Sequence, residues 1–284
     1  MKKTILATAI LLSGAMAQAS DDFTIATGSE GGSYERLGRS IAASINKQGK
    51  RKDIEFDFEI LNTNGSGENI ELFNDGEAQA IIVQSDALAV TPPTVSFKAK
   101  AAHTETIWWI YNTKNDISDI EDIEGTKKTV MVLVGDSGAV ITMQNFVNED
   151  KGYQKNFDSA VYADDLYDAV DIVCSGKSQK GKVSGLLYVG GSLPAEIRSD
   201  FKNCVSVGEA TDGDFDDAKD INGDKLYTDC KINKNRYLPL KGSNGWSDEK
   251  TICVSAMVVY STDFEEKGAA KVVKKGINKA LRGK

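Results

Sequence analysis

The 284-residue chain is short of the side chains that carry out most enzyme chemistry. Its single histidine, His103, is the one residue that any histidine-dependent catalysis could use. Neither a histidine cluster nor a C-x-x-C pair is present, so zinc is not indicated. No G-x-x-x-x-G-K-[ST] run occurs, and Gly28, Gly31 and Gly32 follow a G-x-x-G-G spacing, so both usual phosphate cradles of nucleotide-binding proteins are missing. Positive charge is scarce too. Against 42 acidic residues stand 34 lysines and arginines, a net charge of −8 that repels a phosphate backbone and excludes nucleic acid as a partner. Beyond the first residues, no apolar run approaches the ~20 that a membrane-spanning helix needs.

What is present suits a globular protein. Apolar residues make up 40% of the chain, and with 26 glycines they reach about half of it, enough to bury a core. Lys2 and Lys3 precede an apolar run over 5–12, and Ala17-Gln18-Ala19 offers the small residues at which export signals are cut. Residues 1–19 therefore read as a signal peptide, with cleavage before Ser20 and no membrane insertion afterwards. The expected location is the periplasm. A mature length near 265 suggests two lobes at ~150 residues per domain. Export also gives Cys174, Cys204, Cys230 and Cys253 a disulfide reading. Of the three possible pairings, Cys174–Cys204 with Cys230–Cys253 is favoured because each closes a short loop within one region.

A strand at 23–27, a loop Gly28-Ser29-Glu30-Gly31-Gly32-Ser33 and a helical pattern over 34–46 set a grammar that recurs. It continues with a strand at 54–60 and a helix at 68–74, then a short buried strand at 80–83. Later it reappears as Thr129–Val134 before a helix at 139–147, and as a strand at 185–189 before a helix beginning near Leu193 and Pro194. Such alternation predicts an α/β fold of parallel-rich sheets flanked by helices. Ligands of these sheets bind beyond the carboxyl ends of the strands. The glycine- and serine-rich loops there bring peptide N–H groups close to a ligand, so an acidic protein could hold a small carboxylate without basic side chains.

The segment Thr27-Gly28-Ser29-Glu30-Gly31-Gly32-Ser33-Tyr34, followed by Leu37-Gly38, resembles the amino-terminal signature of the TAXI family, the solute receptors of tripartite ATP-independent periplasmic (TRAP) transporters. The likeness continues through Thr63-Asn64-Gly65-Ser66-Gly67-Glu68-Asn69, Ala80-Ile81-Ile82-Val83-Gln84-Ser85-Asp86 and Gly135-Asp136-Ser137-Gly138-Ala139, in the family's order, and ends near Gly208. It implies a two-lobed periplasmic binding protein of type II kind with two crossing strands, at 107–111 and near 205–208. Lobe one would comprise 20–107 and 209–284, and lobe two 108–208. The resemblance further implies a monomeric receptor without catalysis or cofactor. It would close on a small organic anion, a dicarboxylate or an amino acid, and pass it to TRAP membrane subunits. Carried over residue by residue, the ligand contacts would be Ser29, Gly32, Ser33, Tyr34, Asn64, Ser66, Gln84 and Ser85 from lobe one. Ser137, Gly138, Ala139, Gly190 and Gly191 would serve from lobe two.

Other readings of the same residues are weaker. Ala101-Ala102-His103 and Gly135-Asp136-Ser137-Gly138 imitate serine-protease signatures, but the short spacing between them and the strand–helix grammar do not suit such a fold. In Asp220-Ile221-Asn222-Gly223-Asp224, calcium-loop spacing puts Lys225 where glycine belongs and Lys231 where the bidentate glutamate belongs, so no metal is expected. Trp108 and Trp109 are expected to pack on opposite sides of one strand. The basic residues of the last helix (Lys267, Lys271, Lys274, Lys275, Lys279, Arg282) read as a solvated face, with a transporter or anionic lipid as the other reading. Rival functions are the receptor of an ATP-driven importer of phosphonate-like anions, a secreted serine hydrolase and a non-binding surface protein.

Overall fold

The computed structural model describes residues 21–115, 117–124, 129–220, 223–233, 248–264 and 268–283. The expected signal peptide, Ile221 and Asn222 of the calcium-like run, and Lys267 lie outside these residues.

The first half of the chain runs β1 (Asp21–Ala26), α1 (Ser33–Gly49), β2 (Phe56–Leu61), α2 (Ser66–Asn74), β3 (Ala80–Gln84), α3 (Ser85–Val90) and the long β4 (Phe97–Asn112). The second half continues with β5 (Thr129–Val134), α4 (Gly138–Glu149), α5 (Gln154–Asp158), β6 (Val161–Ala163), α6 (Leu166–Ser175), β7 (Lys177–Ser178), β8 (Gly181–Gly190), α7 (Ala195–Asp200) and β9 (Val205–Gly208). Closing the chain are β10 (Thr228–Ile232), β11 (Glu249–Ser261) and α8 (Ala269–Arg282).

Strand order is β2-β1-β3-β11-β4-β8-β5-β6. The outer strands of each half are parallel, β2 and β3 to β1, and β8 and β6 to β5. The central pairs β3–β11, β11–β4 and β4–β8 are antiparallel. Both β3 and β5 are buried along their whole length, as strands covered on two faces must be. In lobe one, Ala80 and Ile82 face Ile41 of α1 and Ile277 of α8, while Ile81 and Val83 face Ile70 and Phe73 of α2. In lobe two, Met131 and Leu133 face Phe146 of α4, and Val130 and Val132 face Val170 of α6. This is the expected α/β architecture, built as two lobes with one helix-covered sheet region in each.

Strand β4 is the first crossing. Its residues 97–105 pair with β11, and from Thr106 it pairs with β8. Trp108 and Trp109 fall in different cores, one on each side of the strand, as alternation requires. Val205–Gly208 stays beside residues 109–112 of β4, whereas β11 starts against β10 and then runs into lobe one beside Glu105 and Gln84. Ala210, Phe215, Leu226 and Tyr227 share one core with Phe146 and Tyr153. Phe215 stacks on Phe146 with ring centres 3.6 Å apart, which anchors the acidic loop by an aromatic side chain.

Both disulfides have the favoured pairing. Cys174 of α6 is joined to Cys204 ahead of β9, and Cys230 of β10 to Cys253 of β11, with Cα atoms 5.2 and 5.7 Å apart. In α8 the apolar residues Val272, Val273 and Ile277 are buried, and Lys271, Lys274 and Lys275 are exposed. No helix among the described residues is long and apolar enough to cross a membrane.

Candidate functional site

Three helices open on one cavity between the lobes. The chain leaves β1 through a glycine loop into α1, leaves β2 through Asn64-Gly65 into α2, and leaves β5 through Asp136-Ser137 into α4. The residues preceding these helices, Gly32, Gly65 and Ser137, make no side-chain cap hydrogen bond. No side chain of the preceding residue therefore caps these helices, although the Val140 amide bonds back to Ser137 O, and the positive ends of the helices point to the same space. Gly65 has φ of 127°, a conformation that a side chain would strain. The hydroxyl of Ser137 donates to Val134 O at 2.7 Å, which shapes the turn.

The cavity, about 130 Å³, suits a small solute. All but two of the expected contacts line it: Ser29, Gly32, Ser33, Tyr34, Asn64, Ser66, Gln84, Ser137, Gly138, Ala139 and Gly190. Ser85 opens α3 and Gly191 is exposed with open space around it, and neither reaches the lining. Sequence reasoning missed Glu105, Asp165, Leu166 and Tyr188, among others. Glu105 does have a signal, a lone acid between Thr104 and Thr106 just before the apolar run 107–111.

Buried side chains hold the lobe-one loops. Asn69 donates through Nδ2 to Thr27 O at 2.5 Å and to Ile82 O at 2.7 Å, tying the ends of β1 and β3, and accepts from Thr63 Oγ1 at 2.7 Å. Asn62 Nδ2 donates to Gly28 O, and the amide of Gln84 donates to Ser66 Oγ. Across the cleft the lobes are in contact. A Cβ on Gly138 would sit 1.6 Å from Gln84 Oε1, so glycine here lets the buried Gln84 amide lie against the lobe-two turn as it does.

Two buried acids stand at this junction. Glu105, 2% exposed, accepts from Tyr34 OH at 2.5 Å, with Ser33 Oγ at 3.5 Å and His103 Nε2 at 3.6 Å from its other oxygen. Burial, then the charge of Glu105, raises Tyr34 well above the usual tyrosine range, so its hydroxyl stays a donor. Asp86, fully buried in α3, accepts from Thr142 of α4 at 2.5 Å and from Tyr227 OH at 3.1 Å. Burial pushes its carboxyl up to about 6, and the hydrogen bonds from Thr142, Tyr227 and Ala87 work against that. No lysine or arginine lines the cavity among the described residues. Arg39 is drawn to Glu35, and Arg36 donates to Gly31 O.

His103 packs edge-on to Tyr34, ring centres 6.2 Å apart, while Ser137 is spent on its own turn. Asp212 and Asp220, from the calcium-like stretch, accept from the backbone amides of Asp214 and Asp224. No group of three metal-ligating side chains is assembled among the described residues.

The fold is thus a two-lobed α/β architecture in which three helix starts converge on an interlobe cavity. The model of the NMT1-like family matches residues 25–276, and the chain belongs to that family. No curated protein matches it in sequence. Among solved structures it is similar to the OxyR2 regulatory domain from Vibrio vulnificus (8% identity, TM-score 0.49, covering 95% of this chain and 100% of that one). It is also similar to the BvgS VFT2 domain of Bordetella pertussis (11%, 0.48, 92% and 91%) and to the GluR0 ligand-binding core in complex with L-glutamate (12%, 0.48, 94% and 94%).

Proposed function

We propose that this protein is an exported solute receptor of the TAXI type that captures a small organic anion, a dicarboxylate or an amino acid, between its lobes. It then delivers the solute to the membrane subunits of a TRAP transporter, acting as a periplasmic monomer without catalysis. Lobe one would comprise residues 20–105 with β11 and α8, and lobe two the chain between the crossings, including 209–232. The observation that carries this reading is the convergence of three helix starts without side-chain caps, two from lobe one and one from lobe two, on a cavity that no lysine or arginine lines among the described residues. Peptide dipoles attract a carboxylate there, and contacts from both lobes favour the closed form through their differential affinity.

Thermal-shift screening of dicarboxylates, amino acids, phosphonates and sugars tests it. A ligand at about 100 times its Kd adds roughly 2.7 kcal/mol of stability, which is readily detected. A carboxylate that raises Tm is the expected result. A panel without any stabilising solute, together with native mass spectra showing no retained small molecule, would sink the receptor reading.

A further inference from the structure

We infer that Glu105 accepts a protonated amine of the solute, so that the site selects a compound carrying an ammonium and a carboxylate over a dicarboxylate. This inference rests on the receptor reading above. Glu105 lies on β4 at the last residue paired with β11, the point at which the strand passes from one lobe to the other. Its carboxylate is buried and lines the cavity. The hydrogen-bond donors around it are uncharged: Tyr34 OH at 2.5 Å, and Ser33 Oγ at the outer limit of 3.5 Å. His103 Nε2, at 3.6 Å, lies beyond hydrogen-bond reach. A carboxylate has about four lone-pair directions, so acceptor capacity is left over for the cavity.

His103 lies within ion-pair distance of Glu105 and offsets its charge only when protonated. The lining includes no lysine or arginine among the described residues, and its second acid, Asp165, accepts from the amide of Asp168 at the start of α6. A dicarboxylate would bring further negative charge against Glu105. An ammonium would supply both the missing counter-charge and several donors. The helix starts on the same cavity suit a carboxylate, so the lining has one pole for each end of a zwitterion. A sugar hydroxyl could bond to Glu105 but would leave its charge unmatched and the helix starts without an anion.

Calorimetric titration of the full chain with the standard L-amino acids, their 2-hydroxy-acid counterparts, succinate and glutarate tests the inference. Hydrogen bonds to charged groups imply that replacing the amine by a hydroxyl weakens binding about 10- to 100-fold. Glu105→Gln should weaken the amino acid by a similar factor and move the hydroxy acid only a few-fold, with Glu105→Asp as a second variant should Glu105→Gln misfold. Equal binding of an amino acid and its hydroxy acid, or a dicarboxylate binding tighter than any amino acid, overturns the inference and leaves the receptor reading standing. If none of these compounds binds, the mass of a solute retained through purification decides: an amine supports the role of Glu105, and its absence overturns it. If nothing is retained either, both readings fall.

Discussion

The two lobes hold their cavity-facing turns by different means. In lobe one a buried asparagine, Asn69, bonds to two strand ends at once, and Thr63, Asn62 and Ser66 extend the bracing. In lobe two the turn before α4 is tied by Ser137 Oγ to Val134 O and by the Gly135 amide to Ala163 O, with a disulfide and stacked aromatics behind it. Equivalent strand–loop–helix units can thus be stiffened through local polar bonds or through a cross-linked frame. The first fixes the loop itself, and the second fixes the body that carries it.

The largest expected effect breaks that frame. Replacing Cys174 and Cys204 by serine opens a loop with a sequence separation of 30 residues. The loop-entropy view gives a loss of about 3–4 kcal/mol. Hydrogen exchange should then accelerate in α6 and β9 and stay unchanged in α1 and β1. Equal acceleration in both lobes would remove the distinction.

Asp86 joins the lobes, so its protonation tests how strongly they are coupled. Its folded value of about 6 lies above the ordinary 3.8, so between these values the folded chain keeps a proton that the unfolded chain has released. Its contribution to stability is therefore full below about pH 4 and is lost as pH rises through about 6, by at most about 3 kcal/mol. Asp119, Glu121 and Glu124 are also raised, so the wild-type slope is not due to Asp86 alone. The difference between wild type and Asp86→Asn in urea melts isolates it. The variant should lose less stability between pH 4 and pH 7, and parallel curves would deny Asp86 any such role.

Asn69→Ala comes next. It removes the buried bonds to the carbonyls of Thr27 and Ile82, while the Thr63 hydroxyl keeps Thr27 O and the Gly65 amide as partners, an expected cost of roughly 2–3 kcal/mol by chemical denaturation. Because the same bonds shape two site loops, ligand affinity should fall along with stability.

Much of this architecture is legible before any coordinates. Thr129–Val134 is a strand over its whole expected length because six consecutive apolar or β-branched residues between turn residues suit a strand buried on both faces. The cavity loops are legible for the same reason that they work, since glycine and serine mark turns and helix starts alike. Glu105 is not, because a single acid in a strand reads as solvent-facing until the fold brings Tyr34 to it from 71 residues away. The packing of the acidic stretch is not legible either, because Phe215 and Tyr227 read only as isolated aromatics there until the fold brings Phe146 against them. Asn69 is legible as part of a motif and not as a brace, since its two acceptors are backbone carbonyls that carry no residue identity.

The smallest effect sharpens the contrast most. Ser137→Ala removes a single hydrogen bond, Oγ to Val134 O, and the carbonyl that loses it ends a strand next to the cavity rather than deep in a core. One such bond contributes about 1 kcal/mol. The Gly135–Ala163 bond and the packing of Phe146 remain in place, so the turn should keep its course. The amides of Gly138 and Ala139 still open α4, so affinity for a carboxylate solute should change only a few-fold. Measured in parallel, Asn69→Ala should cost two to three times as much stability and far more affinity. Equal losses in the two variants would mean that lobe two also depends on local polar bonds, and the proposed division between braced loops and a cross-linked frame would fail.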